Sequence, residues 1–279
     1  MNTSAIRPKN HRSTGRITLN DVALAAGVSP STVSRALRGE RAVDPDLVAQ
    51  VLAVSDKLGY VPDPAARALA SQRSDHVTIL IPLLSNTLFV DLLEAAQRTL
   101  RAAGFQTLMG VTHYNNSEEE QLMREQLHHR PAGMLITGLD HSEATQKLMA
   151  RSNVPCVHLM DLPNEIELNP SANLDSEERL SGPYCVGFRQ TDAGEAMTQH
   201  LISKGKKRIV FAAAQLDPRV MQRLNGWRKA LKAKQLYDPT LEWLNPAPSS
   251  LALGGLMLEQ IMKQSPGVDA IFFCNDDLA

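Results

Sequence analysis

The stretch RITLNDVALAAGVSPSTVSRALR (residues 16–38) decides how the amino-terminal part of this chain is read. Val22, Ala23, Ala25 and Ala26 are apolar at the spacing of a short helix, with Thr18 or Asn20 placed to cap it. Gly27 can take the left-handed conformation that ends a helix and turns the chain. Ser29 then caps a second helix whose first residue is Pro30, where proline's missing N–H costs nothing. Val28 in the turn, with Val33, Ala36 and Leu37 on the second helix, forms the inner side. The outer side shows Ser31, Thr32, Ser34, Arg35 and Arg38, with no acidic residue among them. Short hydroxyls and guanidinium groups in the first turns suit a helix that enters a major groove and reaches phosphates and base edges. An ordinary helical hairpin would share the apolar spacing, but not the agreement of turn, cap and charge.

Charge along the chain follows the same division. Residues 1–74 carry ten Lys/Arg and six Asp/Glu, whereas the remainder carries 19 and 24. A basic head on a mildly acidic body meets phosphate at one end only. At 279 residues the chain exceeds one compact core of ordinary size, so several modules are expected. Residues 1–15 are polar and basic, lack the apolar centre of a secretion signal, and read as a disordered arm. No apolar run approaches the length of a membrane span. Cys156, Cys185 and Cys274 lie far apart with no CxxC or Cys/His cluster, so reduced thiols are expected and a metal site is not. The expected setting is cytoplasmic, at the nucleoid.

Thr18–Arg35 satisfies every fixed position of T-L-x-D-V-A-x-x-A-G-V-S-x-x-T-V-S-R, and in this it resembles the headpiece of the lactose-repressor/galactose-repressor family. The family's third helix has a counterpart in Asp46–Leu58, with Leu47, Val51, Val54 and Leu58 at helical spacing. GYVPDPAARALAS (residues 59–71) resembles the family's hinge, G-Y-x-P-N-x-x-A-R-x-L-A, with Asp63 in place of its Asn. The resemblance implies a hinge helix at Pro64–Ser71 that inserts Leu69 into the minor groove, where an apolar wedge unstacks a base step. The DNA contacts so implied are Thr18, Pro30, Ser31, Thr32, Ser34, Arg35, Arg67, Leu69 and Ala70, with Ser31, Thr32 and Arg35 foremost as base readers. The partner is a pseudo-palindromic double-stranded operator, bound by a homodimer.

Beyond Ser74 strands and helices alternate. Val77–Pro82, Gln106–Val111, Ala132–Thr137 and Pro155–Met160 read as strands, separated by helices at Leu88–Ala103, Glu118–His129 and Glu143–Ala150. The inner stripe of the first of these helices is read as Val90, Leu93, Ala96 and Leu100. The rhythm resumes with helix Asp192–Ser203, strand Arg208–Ala213, helices Val220–Lys234 and Leu251–Lys263, and strand Ala270–Asn275. Such repetition implies parallel sheets with helices on both faces. The fold class is α/β: a helix-turn-helix headpiece and hinge, then two lobes like those of periplasmic binding proteins, which is also the family's effector domain. The expected divisions are arm 1–15, headpiece 16–61, hinge and linker 62–74, first lobe 75–163, polar loop 164–183, and second lobe 184–279. The composition of that loop favours disorder.

No enzyme is expected. There is no GxGxxG after a strand, no P-loop and no HExxH, so no catalytic residue and no cofactor is assigned. Adjacent acids such as Asp276 and Asp277, or Glu177 and Glu178, point to opposite faces of an extended segment and make no acid/base pair.

Ligands of open α/β sheets gather at the carboxyl ends of strands. Asn86, Thr87 and Phe89 follow the first strand there, Asp161 ends the fourth, Asp217, Arg219 and Arg223 follow the strand from Arg208, and Asn275 and Asp276 end the last. The resemblance singles out Arg223, three residues before Gly226–Trp227, and the Asn275–Asp276 pair as cleft positions, and gives Phe89 a stacking role. The effector-site set is Phe89, Asp161, Arg219, Arg223, Asn275 and Asp276. Within the family, segments such as MDLP (160–163), VGF (186–188), AQLDPR (214–219) and FFCNDDLA (272–279) resemble the gluconate-utilisation repressors. A sugar acid fits a pair of arginines, whose forks match a carboxylate. The family continues past the position of Ala279, so the second lobe is expected to be incomplete. A shortened regulator that binds DNA or dimerises without sensing an effector is the alternative.

Overall fold

A computed structural model describes residues 17–39, 43–62, 74–163 and 184–279 of the protein. They belong to two units divided between Ser71 and Gln72.

The first unit is three helices, α1 (Leu19–Ala26), α2 (Pro30–Leu37) and α3 (Pro45–Leu58). Thr18 caps α1 and exchanges hydrogen bonds with Asp21, so two orphan donors are satisfied together. Gly27 ends it at φ 67°, ψ 28°, the left-handed region that an L side chain resists. Ser29 caps α2 and Pro30 opens it. The core is Val22, Ala23, Ala26, Val33, Ala36 and Val51, with Val28, Val48, Val54 and Leu58 packed around it. Two sequence expectations shift here. Ala25 is exposed, because a two-turn helix that buries positions 22, 23 and 26 turns 24 and 25 outward. On α3 it is Val48, not Leu47, that packs against this core.

The second unit holds two parallel sheets. In the first, β1 (His76–Ile81), β2 (Gln106–Val111), β3 (Gly133–Thr137), β4 (Cys156–Leu159) and β5 (Tyr184–Val186) lie in the order β2-β1-β3-β4-β5. The connecting helices are α4 (Thr87–Ala102), α5 (Asn116–His128) and α6 (Glu143–Ser152). Strand β1 is buried from Val77 to Ile81, as a central parallel strand must be. In the second sheet, β6 (Ile209–Ala214) lies between β7 (Glu242–Asn245) and β8 (Ala270–Phe273). Helices α7 (Gln190–Ser203), α8 (Pro218–Ala233) and α9 (Leu251–Gln264) accompany it. All six residues of β6 are buried, in a core with Val220, Leu224, Trp227 and Leu231 of α8.

Three details depart from the sequence reading. Phe89 rather than Val90 faces the core of the first lobe, packing with Ile79 and Ile81 while Val90 stays exposed. Tyr184–Val186, read as the start of the second lobe, pairs in parallel with β4 and completes the first sheet. Glu242–Asn245, not read as a strand, pairs with β6. Cys156, Cys185 and Cys274 are thiols. Among the described residues no helix is long and apolar enough to cross a membrane.

Helices α7 and α8 meet backbone to backbone. A methyl group on Gly194 would overlap the Arg223 carbonyl, and one on Gly226 would overlap that of Thr191. This approach sets the position of the residues on the facing turns, Gln190 and Arg223.

Candidate DNA interface and ligand cleft

In the first unit, the first turn of α2 is organised by its cap. The Ser29 hydroxyl accepts the Thr32 N–H at 3.1 Å and lies 2.8 Å from both the Ser31 and the Thr32 hydroxyls. Ser31, exposed, and Thr32, half-buried, are therefore held in one hydroxyl cluster. Arg35 stands one turn beyond Ser31, also exposed, and Ser34 beside it is half-buried. Pro30 occupies the first helical position. Thr18, expected both as a cap and as a DNA contact, uses its hydroxyl on Asp21 at 2.7 Å and so serves α1 first. Arg67, Leu69 and Ala70 lie outside the described residues.

In the second unit, α8 begins at the carboxyl end of β6, where the Asp217 carboxylate accepts the Arg219 and Val220 N–H groups. The Arg219 side chain, 12% exposed, reaches across to the first lobe. Its guanidinium donates to the Tyr114 hydroxyl at 3.0 Å and lies 5.4 Å from the Tyr114 ring and 5.8 Å from that of Phe89. Phe89 thus serves both as core and as a face for this cation. Burial pushes the Tyr114 hydroxyl up to about 12 despite the opposing pull of Arg219, so it stays neutral while accepting from that guanidinium. Asp217 Oδ1, 3.6 Å from Arg219 Nε, balances the charge.

One turn further, Arg223 donates to Gln190 Oε1 at 2.6 Å, and Gln190 Nε2 donates to the Met160 carbonyl at 2.8 Å. Arg223 Nε is buried and meets no acceptor among the described residues. Burial holds this guanidinium below its ordinary range, and Asp217 partly offsets that. Asp161 lies two residues past the end of β4, almost wholly buried, accepting the Leu162 N–H. Burial pushes its carboxyl up, with the Leu162 hydrogen bond opposing, Asp140 adding to the rise and Arg219 drawing it down.

Two recesses open between these groups. Tyr114, Glu119, Asp140, Asp217 and Arg219 line the first. Asp140, Asp161, Arg189, Gln190 and Gln222 line the second, so Asp140 borders both. Phe89, Arg223, Asn275 and Asp276 border neither. Asn275 donates to Ser249 at 2.9 Å and accepts the Leu278 N–H at 3.1 Å, which fixes the turn after β8, while Asp276 is exposed. Their neighbour Asp277 instead joins the lobes, accepting from Asn86 at 2.9 Å. Sequence reasoning did not reach Tyr114, Glu119, Asp140 or Gln190, although each follows a strand or opens a helix at the cleft end of the sheet.

Two family models match the chain. Residues 18–63 fit the bacterial regulatory proteins of the lacI family, and residues 74–279 fit the periplasmic binding proteins and sugar binding domain of the LacI family. The chain belongs to the LacI family. A LacI-family relative, the HTH-type transcriptional regulator GntR of Pseudomonas aeruginosa, is 46% identical over 97% of this chain and 75% of its own length. A LacI-family protein from Silicibacter pomeroyi has a solved structure similar to this one, with TM-score 0.78 and 33% identity over 94% of this chain and 74% of that one. The transcription regulator GntR from Chromobacterium violaceum is 46% identical, with TM-score 0.64 over 73% of this chain and 69% of that one. The LacI family is one of transcriptional regulators, and the helix-turn-helix and parallel-sheet domain found here are its two parts.

Proposed function

We propose that this regulator is a repressor that binds a pseudo-palindromic operator as a homodimer in the cytoplasm, with a gluconate-like sugar acid as its controlling ligand. Pro30–Arg38 enters a major groove, and Arg35, with its planar fork, is the side chain best suited to read a guanine edge. The observation that carries the ligand class is the arginine pair on α8. Arg219 lines the first recess, and Arg223, one turn further along α8, keeps a buried Nε with no acceptor among the described residues. A buried donor without an acceptor costs free energy until a ligand supplies one, and a carboxylate is the acceptor whose charge and geometry fit. The resemblance to gluconate-utilisation repressors, and relatives named GntR, agree with this choice.

Binding between the lobes alters how they close, and that change reaches the DNA-binding unit. The coupling is reciprocal: a ligand that weakens DNA binding is itself bound more weakly by the DNA complex. Calorimetric titration of the full chain with D-gluconate, with and without Arg223→Ala, tests the ligand class. Binding that is lost in the variant is expected. Binding of equal strength in both would overturn the role of Arg223, and no binding to either would favour a regulator that does not sense a sugar acid.

A further inference from the structure

Behind the first recess runs a buried polar chain that the arginines do not explain. Glu119 of α5 is 8% exposed and borders the recess. Its Oε1 lies 2.8 Å from His141 Nδ1, His141 Nε2 lies 3.1 Å from His158 Nδ1, and His158 Nδ1 lies 3.0 Å from the Gly138 carbonyl oxygen. The donors follow from the Gly138 carbonyl, which can only accept, so His158 Nδ1 carries a proton and shares it between Gly138 and His141. His141 Nε2, facing that N–H, accepts, and His141 Nδ1 donates to Glu119. Burial lowers His158 below its ordinary range, in keeping with a neutral ring.

This chain engages one oxygen of Glu119, which borders the recess, and the other oxygen meets no donor among the described residues. The first lobe brings the acceptors Glu119 and Asp140 to the recess, and the second lobe brings Arg219 with Asp217 3.6 Å beside it.

We propose that Glu119 is a specificity-determining residue of the cleft, accepting a hydroxyl of a polyhydroxy acid on its second oxygen, with His141 and His158 as positioning residues behind it. The inference rests on the sugar-acid reading and adds the ligand's direction. The acid end meets Arg219, since carboxylate against Glu119 would be repulsive, and a hydroxyl-bearing end meets Glu119. An acid of the same length without hydroxyls leaves a desolvated carboxylate oxygen unpaired and is rejected for that reason.

The test is calorimetric titration of the full chain with D-gluconate and with hexanoate. Wild-type protein is expected to prefer D-gluconate strongly. In Glu119→Gln the amide oxygen still serves His141 while an NH2 group faces the recess, and the preference is expected to fall by at least about tenfold. A merely structural defect would weaken both acids alike and leave their ratio unchanged. His141→Gln keeps a donor for Glu119 and should retain the ratio, whereas His141→Leu should lower it. Should Glu119→Gln lose its cooperative melt, the His141 pair carries the test. Wild-type protein that does not bind D-gluconate would overturn the sugar-acid reading itself. Binding with an unchanged ratio in Glu119→Gln, or in His141→Leu where only that pair folds, would overturn this proposal alone.

Discussion

Arg223 and Gln190 are joined by a 2.6 Å hydrogen bond, and Gln190 passes the connection on to the Met160 carbonyl at 2.8 Å. A cation on α8 of the second lobe is thereby tied, through the first turn of α7, to the carboxyl end of β4 in the first. The close approach of Gly194 and Gly226 makes this geometry possible, because the two helix backbones touch where these side chains must meet.

Replacing Gln190 by alanine removes the acceptor that Arg223 has among the described residues and breaks the link to Met160. A hydrogen bond to a charged group contributes about 1.5–3 kcal/mol, so D-gluconate affinity should fall by roughly tenfold or more. Calorimetry on the variant checks this, with DNA affinity in the absence of D-gluconate expected to be unchanged.

Two glycines in helices separate packing from propensity. Gly226→Ala places a methyl group against the Thr191 carbonyl and should destabilise the body by about 1–3 kcal/mol through overpacking. Gly255→Ala on α9 meets nothing within 4 Å and should instead stabilise by up to about 1 kcal/mol, the helix preference of alanine over glycine. Urea unfolding of both variants reads the opposite signs. A neutral Gly226→Ala would mean that α7 and α8 do not touch there.

Stability should fall on acidification. Burial, with His141 adding to it, holds His158 below its ordinary 6.5, so as pH drops the unfolded chain takes up a proton first. Between the unfolded value and the lower folded one the unfolded state binds more protons, and the folded state loses stability with each step down in pH. His76 is lowered likewise by burial and by His129, and contributes the same sign. The urea midpoint near pH 5.5 should lie below that near pH 7.5, and His158→Gln should remove part of the difference. An identical pH dependence in the variant would contradict a buried neutral His158.

In the DNA-binding unit, Arg35→Ala should weaken specific binding far more than binding to random DNA, whereas equal losses would remove its role as a base reader. Thr18→Ala should act differently. It breaks the reciprocal cap with Asp21 and should cost about 1 kcal/mol of helix stability, visible as a lower melting temperature of that unit.

The headpiece was legible because each local signal agreed: Thr18 and Ser29 as caps, Gly27 as the left-handed turn and Pro30 at the first helical position all stand where the sequence put them. The long strands and helices of the body were legible from periodicity for the same reason. Phe89 and Val90 were not separable that way. They are consecutive, either fits a helical stripe, and only packing against Ile79 and Ile81 decides. Strands β5 and β7 span three and four residues, too few to show a period, and their neighbours are what make them strands. At the cleft, Arg219 and Arg223 were visible as charges after a strand. Tyr114, Gln190 and Glu119 were not, because their roles come from partners on other elements. Asn275 was placed at the correct strand end, but its side chain is used by Ser249 and Leu278.

The most direct test is fluorescence anisotropy on a DNA duplex selected by the full chain from a random pool, titrated with D-gluconate at concentrations that fill the cleft in calorimetry. The selected duplex should bind in preference to a scrambled one, and D-gluconate should release it while D-glucose does not. Equal binding to both duplexes, or occupancy unmoved by D-gluconate, would contradict a repressor governed by a sugar acid.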